Sequence, residues 1–391
     1  MENLPMNIMP CQYEKLLETL SGYEKTGIPF IAYDGKMFKP AGLGDDMGLY
    51  YILPKITHTF GISADQAIHV FLTGVIFFSL LFGIIGCLLL FKRWTLRSLG
   101  VVELILIAYL SFKVGGIYII LSSVPILIIP LFLYFSEKHK THPLFIIFLL
   151  FAGFVIGVSH YLRNHSGTGV LIFVAIILFF YLKIQWKHKI ILAMVISIAV
   201  LAPMFYFDHL LDRRDLYLMN KSYPFDRYSR RHVFWHSVYI GFGFLNNEYV
   251  TTYKDEVAIE KVRSISPKTT YLSHEYERIL RNEVAILIKE HPLFAARTLF
   301  AKIGVVGLYF IVFANIGLIA AGLNKREWQL EIAFFCAFLF NSLFGLLVIP
   351  NTHYLLGFIA FTTLYGLVSI NQFIEHRSWL RLGGLSFIRR G

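Results

Sequence analysis

The chain has 391 residues, of which 56% are hydrophobic and 16% aromatic while only 16% are charged; this composition excludes an ordinary soluble globular protein and marks a polytopic membrane protein. The net charge of +11 is dispersed over many short segments, which excludes a nucleic-acid footprint. No GxGxxG, P-loop or HExxH pattern occurs, so nucleotide-dependent and zincin chemistries have no support, and Cys11, Cys87 and Cys336 have neither metal-ligand nor disulfide spacing.

Residues 1–67 are polar and mixed, without a signal-peptide core. Within them, Gly44-Asp45-Asp46-Met47-Gly48-Leu49-Tyr50-Tyr51 sets two adjacent carboxylates just ahead of the first apolar run. Neighbouring carboxylates repel, so one of them holds its proton more tightly and can serve as a base near neutral pH, or the pair can hold a divalent cation. Either residue can instead cap the helix that follows. Tyr50 to Phe60 reads as an amphipathic helix on the membrane surface.

Apolar runs that suit a hydrocarbon core of about 30 Å fall at 68–91, 99–112, 115–135, 143–161, 169–182, 190–207, 298–323, 328–349 and 354–373. These make about nine spans, the second and fifth being short. Lys92, Arg93 and Arg97, then Lys138 and Lys140, then Lys183, Lys187 and Lys189, then Lys325 and Arg326, and finally Arg377, Arg381, Arg389 and Arg390 follow alternate spans, which assigns those loops to the cytoplasm. The outer face then carries residues 1–67, a turn at Lys113, the loop 160–168, the long segment 208–297 and the turn 350–353. The chain therefore divides into an outer N-terminal segment (1–67), a membrane bundle (68–207), an outer loop domain (208–297), a second part of the bundle (298–373) and a basic cytoplasmic tail (374–391). An outer N-terminal segment ahead of an inward span leaves one span unaccounted for; a further helix upstream of Met1 or an exported N-terminal tail would each explain it.

The loop His160-Tyr161-Leu162-Arg163-Asn164-His165-Ser166-Gly167-Thr168-Gly169 is crowded with donors for an anion. Arginine supplies a planar fork suited to phosphate, and the Ser-Gly-Thr-Gly helix entry presents backbone amides. In the long outer segment, Arg230-Arg231-His232 precede Phe234-Trp235-His236-Ser237-Val238-Tyr239. Aromatic side chains there suit the flat faces and hydroxyls of a sugar, or the packing of a small extramembrane domain. Asp255 and Glu256 read as solvated or ion-paired surface acids, and 276–291 as a helix. Lys302, shallow in the seventh run, can snorkel outward to a headgroup phosphate; Asn315 and Asn341 lie deeper and suit interhelical hydrogen bonds, while Glu103 near the cytoplasmic end of the second run carries no role.

In the acidic pair at Asp45-Asp46 with Tyr50-Tyr51-Ile52-Leu53-Pro54, and in the segment Ile288-Lys289-Glu290-His291-Pro292 running into Phe300-Ala301-Lys302, the chain resembles the GT-C class of membrane glycosyltransferases, which includes protein O-mannosyltransferases and aminoarabinose transferases. The resemblance implies an all-α, GT-C-like bundle in a bacterial inner (plasma) membrane with its active site on the outer face. It implies transfer of a sugar from a polyprenyl-phosphate donor to a lipid, glycan or protein acceptor, with inversion. Asp45 or Asp46 would be the general base, and Arg163, His165, Arg230, Arg231 and Lys302 would hold the donor phosphate. Trp235, His236 and Tyr239 would face the sugar, and Asp45, Asp46, His232 and His236 are the candidates for a divalent ion. Membrane lipids are the other expected partners. An O-antigen ligase or polymerase, leaning on Arg230 or His236 rather than on the acids, is the alternative; a transporter or flippase needs ionisable groups lining a path at mid-membrane depth, of which the spans have few.

Overall fold

A computed structural model of the chain describes residues 10–42, 46–140, 142–221, 223, 234–323 and 327–388, with side chains within 12–375. The expectations for Asp45, Arg230, Arg231 and His232 fall outside the described residues.

Among the described residues, eight helices are long and apolar enough to cross a membrane: α3 (Ala64–Leu90), α4 (Trp94–Val114), α5 (Ile119–Lys138), α6 (Pro143–Leu162), α8 (Trp186–Asn220), α12 (Pro292–Ala314), α14 (Trp328–Leu347) and α15 (Thr352–Ile388). The fifth expected span is shorter, with α7 (Thr168–Ile176) passing into a π-helical turn at 177–181. The seventh is broken. A run of apolar residues gives no warning of it, but α12 stops at Ala314 and α13 (Ile316–Leu323) resumes after Asn315, whose backbone takes φ 42°. Asn315 Nδ2 donates to Glu103 Oε1 of α4 (3.0 Å), the interhelical bond expected of an amide in a membrane, where few other partners exist. Asn341 instead bonds back to Ala337 O of its own helix (2.8 Å).

The bundle pairs α3 with α5, α6 with α8, α7 with α14 and α13 with α15. α5 and α15 are its buried centre, covered on most sides by the others. Lys92 meets Glu375 (3.3 Å), so the loop after α3 and the far part of α15 lie at the same end. The opposite end, called the loop end below, gathers the turns before α5, after α6 and before α15.

Two small units crown the loop end. In the first, α1 (Pro10–Thr26) packs on a hairpin, β1 (Ile31–Tyr33) against β2 (Phe38–Pro40) with Ala32 opposite Lys39, and on α2 (Leu49–Phe60). The amphipathic helix expected at Tyr50 to Phe60 is therefore present, and its buried face holds Leu49, Tyr50, Leu53 and Pro54. Rings of Phe30, Tyr51 and Tyr161 surround Phe207, the closest being Tyr161 at 4.4 Å, which fastens this unit to α6 and α8. In the second, α9 (Trp235–Gly241), α10 (Asp255–Ile265) and α11 (His274–Glu290) enclose their own apolar core of Val238, Tyr239, Ile240, Val262, Leu280 and neighbours. Ser273 caps α11 by accepting from Tyr276 N (3.2 Å). Gly241 rests on the end of α14, where an added Cβ would meet Leu347 O at 2.5 Å.

Candidate active site at the loop end of the bundle

Asp46 and Arg163, 117 residues apart, meet where the first unit touches the bundle. Gly48 makes the meeting possible: its N–H donates to Tyr161 O (2.7 Å), and a Cβ there would sit 2.6 Å from that oxygen. Glycine also takes the N-cap position of α2 with no side-chain cap bond, so Asp46 does not cap that helix. Its carboxylate turns to α6 instead. Arg163 Nη1 donates to Asp46 Oδ2 (2.7 Å), and the Asn164 N–H donates to Oδ1 (2.9 Å).

The Arg163 side chain is 13% exposed and that of Asp46 is 6%. Burial works against the Arg163 charge, but Asp46 outweighs it and raises the guanidinium pKa above its ordinary value. The guanidinium lies over the Tyr118 ring (4.7 Å) and near the Tyr354 ring (5.8 Å), as cation–π contacts favour. Tyr354 in turn shares a hydrogen bond with Tyr253 of the second unit (3.2 Å), and burial raises the Tyr253 pKa. Of the five N–H donors of a guanidinium, only the Nη1 bond to Asp46 is made to described residues. A clamped arginine with donors to spare, at the end of an apolar helix of 20 residues, can grip an anion at headgroup depth.

The other expected site residues separate. His165 is exposed with φ 62°, its ring beside those of His160, Phe340 and Phe344. Lys302 does not snorkel. It is 3% exposed, and its Nζ donates to Leu346 O (3.1 Å) and Val348 O (2.8 Å), satisfying carbonyls that the end of α14 leaves without helical partners. The expectation that it reaches a phosphate is thereby corrected, because depth in a run does not tell which side of the helix a residue occupies.

Trp235, His236 and Tyr239 do not line an open sugar site either. Tyr239 and His236 are buried in the core of the second unit and Trp235 packs against it; burial pushes the Tyr239 hydroxyl up to about 12. His236 Nδ1 lies 2.7 Å from Tyr276 Oη and Nε2 lies 3.0 Å from Asp255 Oδ1. An ionised Asp255 can only accept, so the ring hydrogen lies on Nε2, and in the neutral imidazole Nδ1 accepts from the Tyr276 hydroxyl. The hydrogen bond from His236 lowers the Asp255 pKa. Beneath them Glu277, 5% exposed, accepts the N–H groups of Phe234, Trp235 and His236 at 2.9 to 3.1 Å and so closes the start of α9.

For a divalent ion, the described candidates Asp46 and His236 are engaged apart, one by Arg163 and Asn164, the other by Tyr276 and Asp255. Among the described residues no three His, Cys, Asp or Glu side chains gather as ligands. The described residues by themselves assemble no site for such an ion.

Sequence reasoning missed Tyr118, Tyr354 and Tyr253. Their one signal is position: Tyr118 and Tyr354 stand at the outer ends of two expected spans, where aromatic rings and interfacial groups meet.

The fold defines an all-α polytopic membrane protein. Comparison with protein-family models, with curated proteins and with solved structures finds no match to this chain.

Proposed function

We propose that the chain is a membrane glycosyltransferase that moves a sugar from a polyprenyl-phosphate donor to an acceptor hydroxyl at the loop end of the bundle, on the outer face. The observation that carries this reading is Arg163: fixed by Asp46 and Tyr118, just past the end of an apolar helix, with N–H donors to spare. The end opposite the basic loops is the outer one by the charge rule.

In the proposed displacement the acceptor oxygen bonds to the anomeric carbon as the bond from that carbon to the phosphate oxygen breaks. The acceptor proton passes to a carboxylate, and the electron pair of the broken bond stays on the lipid phosphate, where Arg163 meets the growing negative charge. Asp46 is poorly suited to take the proton, since both its oxygens already accept hydrogen bonds. Its work is to position Arg163, and the base is its neighbour Asp45.

The same engagement of Asp46 favours one second reading, a transferase or polymerase acting on a diphosphate-linked glycan, in which arginine rather than acid dominates. Full-length protein in membranes, given a panel of polyprenyl-phosphate and polyprenyl-diphosphate sugars, separates the two. Release of polyprenyl phosphate that Arg163→Lys and Asp45→Asn both abolish is expected. Release only from diphosphate donors moves the assignment to the second reading, and turnover unchanged in Arg163→Lys removes this site from the reaction.

A further inference from the structure

A hollow at the loop end, of about 180 Å³, opens between α1, α2 and α8. Lys55 and Arg213 both face it, as do Tyr51 and Tyr206, with Pro54 and Leu210 as apolar wall; no Asp or Glu is among its described lining residues. Arg163 and Asp46 are not part of it. Two cations that share a hollow without a carboxylate repel each other, and an anion between them relieves that cost.

The hydroxyls are arranged to help. Lys55 Nζ donates to Tyr51 Oη (3.2 Å), and Tyr51 Oη lies 2.8 Å from Tyr206 Oη. A pair of hydroxyls joined by one hydrogen bond spends one O–H and leaves the other for a ligand. Asp208 of α8 lies on a different side of the helix from Tyr206, Leu210 and Arg213 and accepts from Tyr161 Oη (2.9 Å). Tyr206 falls at the boundary of the apolar part of α8, just before Asp208, so the hollow sits where lipid phosphates lie, beside an amphipathic surface helix.

We infer that this hollow binds the phosphate group of an anionic membrane phospholipid, held by Lys55 and Arg213 with a hydroxyl donated by the Tyr51–Tyr206 pair. The same chemistry would accept free phosphate. A bound headgroup here would tie α1 and α2 to α8 and so hold the first unit, with Asp46, against the bundle.

The test uses purified full-length protein in neutral detergent, with binding read by native mass spectrometry and by thermal unfolding. The probes are short-chain phosphatidic acid, phosphatidylglycerol and inorganic phosphate. Each of Lys55→Gln and Arg213→Gln should weaken binding of the anionic lipids about tenfold, the worth of one charged hydrogen bond. Tyr206→Phe should weaken it by a smaller factor, while Lys36→Gln, on the exposed hairpin turn, should leave it unchanged. Each variant is accepted only if its ligand-free unfolding temperature and elution match wild type. Inorganic phosphate binding as tightly as either lipid, with the same variant dependence, overturns the lipid source and leaves a free-anion site. Lipid binding equal in wild type and all variants overturns the site.

Discussion

Uncoupling Asp46 from Arg163 tests the centre of the site. The pair is joined at 2.7 Å with 6% and 13% of its side chains exposed. Losing one member of a buried pair costs about 3–5 kcal/mol, chiefly from the charge left behind, and the partial exposure of Arg163 puts this pair at the low end, about 3 kcal/mol. Asp46→Asn keeps an oxygen for the Asn164 N–H but strands the guanidinium over Tyr118; Arg163→Gln strands the carboxylate. The double variant is neutral, and its two amides can bond each other, so it should cost about the same as either single variant rather than their sum. Thermal and denaturant unfolding in detergent of all four proteins gives the coupling energy directly, expected near 2–3 kcal/mol for residues in one bonded pair. Costs that add to within about 0.5 kcal/mol would refute the pair as the clamp of the site.

Lys302→Met leaves Leu346 O and Val348 O without their donor and should destabilise the protein by about 2 kcal/mol, while the KM for a lipid-linked donor stays unchanged; a raised KM at full stability would restore a phosphate role. Glu277→Gln turns an amide N–H toward backbone donors that now meet a carboxylate and should cost about 2 kcal/mol, seen as faster hydrogen exchange across 234–291 with α3 to α8 unaffected. Asp255 has its pKa lowered below the ordinary 3.8 by the hydrogen bond from His236. A depressed carboxylate contributes stability that is complete above the unfolded value and fades as pH falls through the folded one, so Asp255→Asn should narrow the gap between wild type at pH 6 and at pH 3 in thermal unfolding of the second unit. A gap of unchanged size would break the assigned link.

Length and apolarity made most of the bundle readable, because a membrane leaves a chain few choices: backbone groups must pair within helices, and those helices need a fixed length. The surface helix α2 was readable from its alternating character. The break at Asn315 was not, since one amide in an apolar run predicts a hydrogen bond but not a φ of 42°. Lys302 was read from its place along the helix alone, and composition says how far along a helix a charge lies but not which neighbour it faces. His236 and Tyr239 looked like ligand-facing groups for a related reason: in a helix of seven residues the pattern is too short to reveal an inward face. Asp46 and Arg163 were each singled out by sequence, but their pairing rests on Gly48 lying against Tyr161 O, a contact between segments more than a hundred residues apart.

In the proposed reaction that pairing gives two neighbouring acids different work. A carboxylate whose two oxygens accept from a guanidinium and an amide N–H has its acceptor positions engaged and serves as a clamp. If Asp46 clamps and Asp45 receives the proton, the two substitutions must fail differently. Asp45→Asn should leave the unfolding temperature and donor KM near wild type while kcat falls by 10² or more, the scale of general-base loss. Asp46→Asn should lower the unfolding temperature and raise donor KM together with a fall in kcat, because Arg163 is no longer held where the phosphate arrives. Equal stability with equal kcat loss in both variants would mean that Asp46 also works on the proton, and that its bond to Arg163 opens before the reaction.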